Sequence, residues 1–158
     1  MTILYTYVRR PHSVMTDGIK SPFAADEDRL FHYAKRAGSV KKEDILNYLE
    51  TVFSGRSRAV SCLTETAPRT ENPKIKNWAN ACDCFSFDLD PLIKENIVQS
   101  IFCADAGTFT LTDARMIDCS PLNWESVNPY DNVFFQRIRH YMIVLKDGVL
   151  PVKFIRPV

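Results

Sequence analysis

The stretch that decides the predicted fold of this chain is Leu4-Tyr5-Thr6-Tyr7-Val8-Arg9-Arg10, followed closely by Met15-Thr16-Asp17-Gly18-Ile19. Residues 2–9 are rich in Ile, Tyr, Thr and Val, a composition typical of a strand. Pro11 then opens a short helical turn, which Gly18 can close in a left-handed conformation. The segment therefore predicts a strand, one turn of helix and a stop.

A second informative stretch lies near the other end of the chain. It consists of Tyr141-Met142-Ile143-Val144, followed by Val149-Leu150-Pro151-Val152-Lys153-Phe154-Ile155. Two apolar runs separated by a short turn containing glycine are typical of a β-hairpin. We therefore expect residues 134–145 and 149–155 to pair around Lys146-Asp147-Gly148.

The region between these stretches begins with two amphipathic helices. Asp26 is expected to cap a helix through Ala37 that Gly38 ends, with apolar positions recurring on one face. Ser39 is expected to cap a second helix, in which Ile45, Leu46, Leu49, Val52 and Phe53 recur at spacings of three and four. Both helices should lie on a core.

Strands and short helices alternate in the rest of the chain. Residues 58–63 form an apolar run that predicts a buried strand, and residues 64–73 are a polar connection suited to a binding loop. Residues 74–81 are predicted to be helical, and Pro91 is predicted to start another short helix. Further strands are expected at 84–89, 97–103 and 114–119. The pattern predicts an α+β fold, with helices mainly in the amino-terminal half on a mixed or antiparallel sheet.

Length and composition favour one globular domain over residues 1–158. The chain has 158 residues, of which 46% are hydrophobic and 25% are charged. It shows no internal repeat or low-complexity tract. A formal charge of +1 provides no overall field to attract a polyanion, so any nucleic acid would have to bind a local patch.

The five cysteines and the absence of an apolar leader predict a cytoplasmic protein, with secretion by a leaderless route as the alternative. The cysteines are odd in number and dispersed, unlike a disulfide framework. No run approaches the roughly 18 apolar residues needed to span a bilayer, so no membrane partner is expected.

Cys62 is the best candidate for a nucleophilic thiol, because it lies near the end of a predicted strand before a polar loop. His140 or His32 would have to serve as its base. The alternative is that Cys62 is a small buried apolar residue. The pair Cys82 and Cys84 lacks the ligand spacing of a zinc site, so we expect no metal.

Glu65 is the carboxylate most suited to face a ligand, because it follows an apolar strand at the mouth of the polar connection. Basic residues occur in couples, and two guanidiniums on one face would suit phosphate or carboxylate recognition. A solvated surface is the alternative. The couples are Arg9 with Arg10, Lys35 with Arg36, Arg56 with Arg58 and Arg137 with Arg139.

The order of these elements resembles the ADP-ribosyltransferase fold, including the DNA-modifying toxins of toxin–antitoxin systems. The first strand and its helix ending in Gly-Ile are similar to Leu4-Tyr5-Thr6-Tyr7 and Val14-Met15-Thr16-Asp17-Gly18-Ile19. The family's middle strand is similar to residues 59–65, and its closing strands to residues 139–144 and 150–155. The resemblance covers most of the chain.

This resemblance implies that the chain binds NAD between the first strand and helix and the Ser61 to Glu65 segment. Tyr5, Thr6 and Arg9 would then hold the cofactor, with Ser61 and Thr64 on the opposite strand. Tyr33 would stack on nicotinamide, and His140 with Glu65 would orient the ribose as catalytic residues. The ADP-ribosyl group would pass to a macromolecular acceptor, either a protein or a nucleic acid, as in a toxin or effector.

Two departures from the family's pattern keep other functions open. Thr6 stands where the family offers Arg or His, and His140 or Tyr141 stands where a late strand begins with the catalytic Glu. Since that Glu stabilises positive charge as the glycosidic bond breaks, Glu65 or Glu125 would have to replace it. The alternatives are a non-catalytic nucleotide- or protein-binding module of the same fold and a cysteine hydrolase using Cys62.

Overall fold

The computed structural model of the protein describes residues 1–66, 73–105, 115–118 and 140–158. Extended segments alternate with short helices along this part of the chain. The described strands are β1 (Ile3–Arg9), β2 (Ile19–Lys20), β3 (Ala59–Leu63), β4 (Cys82–Asp88), β5 (Val98–Asp105), β6 (Arg115–Asp118), β7 (His140–Leu145), β8 (Val149–Leu150) and β9 (Arg156–Pro157).

Short α-helices and 3₁₀ turns connect the strands. The α-helices are α1 (Val14–Asp17), α2 (Phe31–Ala37), α3 (Lys42–Val52), α4 (Pro73–Asn80) and α5 (Leu89–Lys94). One-turn 3₁₀ segments occupy Glu27–Leu30, Arg56–Arg58 and Val152–Phe154. No helix of the described ranges combines the length and the apolar character required to cross a membrane.

Helices α2 and α3 form the predicted amphipathic pair. Leu30, Ile45 and Leu49 are buried together, and Tyr33 and Ala37 pack against them. Gly38 ends α2 in the left-handed conformation, at φ 69° and ψ 19°, as the sequence predicts.

The predicted helix caps differ in detail from those observed. Asp26 makes no side-chain capping bond, and the helix it was expected to cap begins as a 3₁₀ turn. Ser39 accepts a hydrogen bond from the Lys41 amide at 3.1 Å, but Lys41 itself occupies the N-cap of α3. Helix α5 begins before Pro91, and Asp88 caps it by accepting from the Asp90 amide.

Seven of the described strands form one antiparallel sheet in the order β6-β5-β7-β3-β1-β4-β9. Strand β1 pairs with β4 along its whole length, from Ile3 opposite Asp88 to Arg9 opposite Cys82. Strand β3 pairs equally fully with β7. Within the described strands, by contrast, β1 and β3 are joined at one register position, Tyr5 opposite Leu63. The sheet is therefore almost split between β1 and β3.

The main core covers one face of this sheet. Its fully buried members include Leu4, Leu89, Leu92 and Ile101. Burial of each such side chain contributes about 1.5–3 kcal/mol relative to exposure. Because these residues come from both halves of the split sheet and from α5, the core joins the two halves beneath the split.

The predicted hairpin between residues 134–145 and 149–155 is wrong. The turn itself forms, since the Gly148 amide donates to the Leu145 carbonyl at 3.2 Å. Strand β7, however, has β3 on one edge and β5 on the other, so neither edge can take another strand. The chain after the turn pairs instead with β2, with Leu150 opposite Ile19. Residues 134–139 lie outside the described ranges.

The protein is a small single domain of the α+β class with a mostly antiparallel sheet. This confirms the predicted fold class. Strands β1 and β3, both from the first half of the chain, occupy middle positions in the sheet. Distant segments are thereby brought together at the split, where the candidate site lies.

Candidate functional site

A cleft of about 770 Å³ opens where β1 and β3 separate. One wall is the carboxyl half of β1, and the other is the start of β3 with the turn before it. Segments around α1 and α2 close the sides. The side chains most relevant to binding are Thr6, Tyr7, Arg9, His12, Lys20, Asp26, Arg29, Phe31, His32, Tyr33, Arg56, Ser61 and Trp78.

Thr6 links the two walls at the base of the cleft. Its side chain is 4% exposed, and its hydroxyl donates to the Ser61 carbonyl at 2.9 Å. A side-chain hydrogen bond here takes the place of the backbone ladder that β1 and β3 lack beyond Tyr5. Thr6 therefore ties the strands together at the point from which the cleft opens.

Arg56 is the most unusual side chain in the cleft, because its charged group is buried. It is 4% exposed and lies in the 3₁₀ turn before β3. Its Nη2 donates to the Tyr33 hydroxyl at 3.2 Å, and its guanidinium carbon lies 5.7 Å from the centroid of the Tyr33 ring. Nε has no hydrogen-bond partner among the described residues.

The backbone that carries Arg56 is held in place by Glu50. One carboxylate oxygen of Glu50 accepts from the Gly55 amide at 3.0 Å, and the other accepts from the Ser57 amide at 2.9 Å. Burial alone would raise the pKa of Glu50, but these amides and the nearby Arg58 guanidinium lower it overall. The turn is thus held on both sides of Arg56.

Gly55 presses this turn against the sheet. It has φ 92°, a conformation that favours glycine, and an added Cβ would lie 2.8 Å from a methyl carbon of Val144. Glu50 and the close approach of Gly55 to β7 together give the backbone at Arg56 little freedom to move.

Aromatic rings lie on two sides of the cleft. On α2, the rings of His32 and Tyr33 have centroids 4.0 Å apart, and Phe31 packs edge-on against His32. Near β1, the rings of Tyr7 and Trp78 have centroids 4.7 Å apart. Such rings offer flat apolar faces on which a planar ligand group can stack.

His32 is surrounded by positive charge. Partial burial lowers the pKa of its imidazole, and the guanidiniums of Arg56, Arg9 and Arg36 lower it further. The imidazole is therefore neutral at neutral pH.

The described cations of the cleft outnumber its carboxylates. Arg9, Arg29, Arg56 and Lys20 line it, whereas Asp26 is the one carboxylate in its described lining. Within the described ranges, Arg9, Arg29 and Arg56 have no carboxylate within ion-pair distance. Arg29 instead donates to the Arg9 carbonyl at 3.0 Å. The balance of charge favours an anionic ligand.

His12 is a cleft residue to which the sequence analysis assigned no function. Its Nε2 lies 2.7 Å from an oxygen of Asp83 on β4, and its Nδ1 accepts weakly from the Val14 amide at 3.5 Å. This arrangement fixes the loop between β1 and α1 against the sheet. The local sequence around His12 does not predict this contact, because Asp83 lies 71 residues away in the sequence.

Four of the predicted cofactor-binding residues come together in the cleft, namely Thr6, Arg9, Tyr33 and Ser61. Tyr5, Thr64 and Glu65 lie outside its lining, because β1 and β3 are still paired at Tyr5 and the other two follow the end of β3. The backbone of His140 pairs opposite Leu63 and Ala104. Glu125, Arg137 and Arg139 lie outside the described residues.

Cys62 is a poor candidate for a nucleophile. Its side chain is 1% exposed, and burial raises the pKa of its thiol. The thiol donates a weak hydrogen bond to the Val60 carbonyl, at 3.6 Å. Since the thiolate is the reactive form, this environment argues against the cysteine hydrolase.

The described residues contain no group of three or more His, Cys, Asp or Glu side chains placed to hold a metal ion. Comparisons with protein-family models, with curated proteins and with solved structures found no match. The chemistry of the cleft must therefore be argued from its own residues. They can bind an anion, stack on a planar group and offer hydroxyls for hydrogen bonds.

Proposed function

We propose that the protein binds NAD or a similar nucleotide in the cleft between β1 and β3, as an ADP-ribosyltransferase-like protein. The observation that carries this proposal is the split in the sheet, which is lined by aromatic rings on two sides and by arginines that have no carboxylate partner among the described residues. A nucleotide combines the two chemistries that such a lining recognises, namely phosphate and a planar heterocycle.

The dimensions of the cleft support this proposal. Its volume of about 770 Å³ lies within the range of roughly 300–1,000 Å³ that is usual for small-molecule sites. Arg9 is exposed and Arg29 is half-buried in the cleft lining, so both can contact the phosphates of a bound nucleotide. His32 and Tyr33 offer faces for a nicotinamide or adenine ring.

The role proposed for Thr6 differs from the one that the resemblance implies. Its hydroxyl already donates to the Ser61 carbonyl, so its donor is occupied within the protein. In this proposal, Thr6 holds β1 against β3, and Arg9 contacts the ligand. This division explains how a threonine can stand where the family has a basic residue.

Transfer of ADP-ribose would break the glycosidic bond, release nicotinamide and join the ribose to a nucleophile of a macromolecular acceptor. The oxocarbenium-like state of this reaction is stabilised by a nearby negative charge. In the described lining of the cleft, that charge is limited to the exposed Asp26. This favours, as a second candidate, a nucleotide-binding module that does not catalyse transfer.

Titration calorimetry with NAD, run beside an assay of nicotinamide release, tests both candidates. Arg9→Gln should weaken binding at least tenfold, since a charge-assisted contact contributes about 1.5–3 kcal/mol. Arg156→Gln removes an exposed guanidinium on β9, outside the cleft lining, and should leave NAD affinity unchanged.

Binding with release would identify a transferase, and Glu65→Gln and His140→Ala would then test the predicted catalytic residues. Binding without release would identify the non-catalytic module. If NAD does not bind at millimolar concentration, the proposed function is wrong.

A further inference from the structure

The described neighbours of Arg56 compensate only part of the cost of burying its guanidinium. A guanidinium carries five N–H donors and a permanent charge, and burying it is costly unless both are satisfied. Among the described residues, its partners are one neutral hydroxyl and one aromatic ring, both of Tyr33. Nε is buried and has no partner there.

The protein holds the turn that carries this guanidinium in place. The clamp formed by Glu50 fixes the backbone on both sides of Arg56, and the glycine at position 55 brings the turn against Val144. The side chain lines the cleft at 4% exposure, instead of extending into solvent as an arginine usually does. A fixed, buried donor with spare hydrogen-bonding capacity is preorganised for an anion.

We propose that Arg56, backed by Tyr33, forms an anion subsite that holds a phosphoryl group of the bound ligand. Arg56 donates from its free N–H groups to the phosphoryl oxygens, and Tyr33 fixes the plane of the guanidinium through its hydroxyl and its ring. That the ligand is a nucleotide rests on the proposed function. The subsite itself requires only a phosphoryl group.

The surroundings of Arg56 agree with an anion of more than one charge. Partial burial lowers the pKa of the His32 imidazole, and the guanidiniums of Arg56, Arg9 and Arg36 lower it further, so all three act on one side chain of the cleft. A phosphate is large enough to accept from several donors at once, and Arg recognises it through two parallel hydrogen bonds. The phosphoryl group can belong to the diphosphate bridge of a dinucleotide or to a terminal phosphomonoester.

The test compares inorganic phosphate, AMP and ADP-ribose as probes of the wild-type protein and three variants. Arg56→Gln removes the charge, and Arg56→Lys keeps the charge but loses the planar fork. Arg58→Gln is the matched control, because Arg58 lies two residues away in the same turn, outside the cleft lining, and donates to the Lys146 carbonyl at 3.2 Å. Dissociation constants come from calorimetry, and thermal stabilisation against chloride of equal ionic strength supports them.

We expect phosphate to stabilise the wild-type protein and the Arg58→Gln variant equally. Affinity for at least one nucleotide probe should fall tenfold or more in Arg56→Gln and by a smaller factor in Arg56→Lys. A loss confined to AMP and phosphate would identify a terminal phosphomonoester, and a loss that includes ADP-ribose would identify the diphosphate bridge.

Two results would overturn the subsite. The first is equal affinity of wild type and Arg56→Gln for every probe, which leaves the proposed function standing if NAD still binds. The second is failure of all three probes to bind the wild-type protein. Arg56-dependent binding of phosphate or AMP without any binding of NAD or ADP-ribose would instead keep the subsite and reject NAD as the ligand.

Discussion

Replacing Arg56 by methionine should make the ligand-free protein more stable. Methionine is unbranched and of similar length, so it can fill the space of the arginine stem without a charge. Arg56 is 4% exposed, and no carboxylate of the described ranges lies within ion-pair distance of it. Burial of an ion costs several kcal/mol even after relaxation of its surroundings.

The expected gain in stability is the cost of desolvating the Arg56 guanidinium minus the energy of the interactions that it makes. Its hydrogen bond to the Tyr33 hydroxyl contributes about 1.5–3 kcal/mol, and its position over the Tyr33 ring contributes about 2 kcal/mol because the pair is desolvated. These gains fall short of the desolvation cost by about 1–2 kcal/mol. At roughly 2–4 °C per kcal/mol for a chain of this size, Arg56→Met should raise Tm by about 2–8 °C.

The assay is urea unfolding of ligand-free protein at pH 7, checked by scanning calorimetry. Arg58→Met serves as the control, because Arg58 is only half-buried, and its free energy of unfolding should change by less than about 1 kcal/mol. A decrease of more than 1 kcal/mol for Arg56→Met would refute the reasoning, because it would mean that the charge of Arg56 is fully satisfied in the native protein.

Three further perturbations test other parts of the site. Thr6→Val should lower the free energy of unfolding by about 1–2 kcal/mol, since the Ser61 carbonyl loses its buried hydrogen-bond donor. Thr6→Ser keeps a hydroxyl and should be more stable than Thr6→Val. Equal stability of Thr6→Val and wild type in urea would contradict this. Glu50→Gln should lower Tm at pH 7 and make Tm fall less steeply at acid pH. The pKa of Glu50 is depressed in the folded protein, so the stabilisation by its carboxylate is present above about pH 4.3 and is lost as pH falls through the folded pKa. Because the pKa of His32 is depressed in the folded protein, its imidazole is protonated in the unfolded state at a higher pH than in the folded state. The free energy of unfolding should therefore decline as pH falls below about 6.5. The same decline in a His32→Gln variant would show that another group causes it.

Much of the local structure could be predicted from the sequence, because it depends on neighbouring residues. The apolar spacing of α3 and the glycine that ends α2 both specify their elements locally. The turn around Gly148 forms as expected, but its flanking segments do not pair with each other. Strand partners depend on which edges the rest of the sheet leaves free, and a local pattern does not contain that information.

The candidate site was only partly predictable for the same reason. Thr6, Arg9, Tyr33 and Ser61 could be chosen from the resemblance, and the structure brings them to one cleft. Arg56 could be noticed only as one of a basic couple. Arginine is rarely buried, and the hydrogen bonds of Glu50 that hold its turn against the sheet are visible only in three dimensions.

The two halves of the split sheet draw their strands from distant parts of the chain. The half containing β3 also takes β5, β6 and β7, whereas the half containing β1 takes β4 and β9, so the β1 half combines the first described strand with the last. A fragment that ends before His140 lacks β7, the strand that pairs with the β3 wall of the cleft. Such non-local pairing is slow to form, and a nascent or truncated chain should be unable to engage ligand. Ligand binding would then serve as a reporter of completed folding.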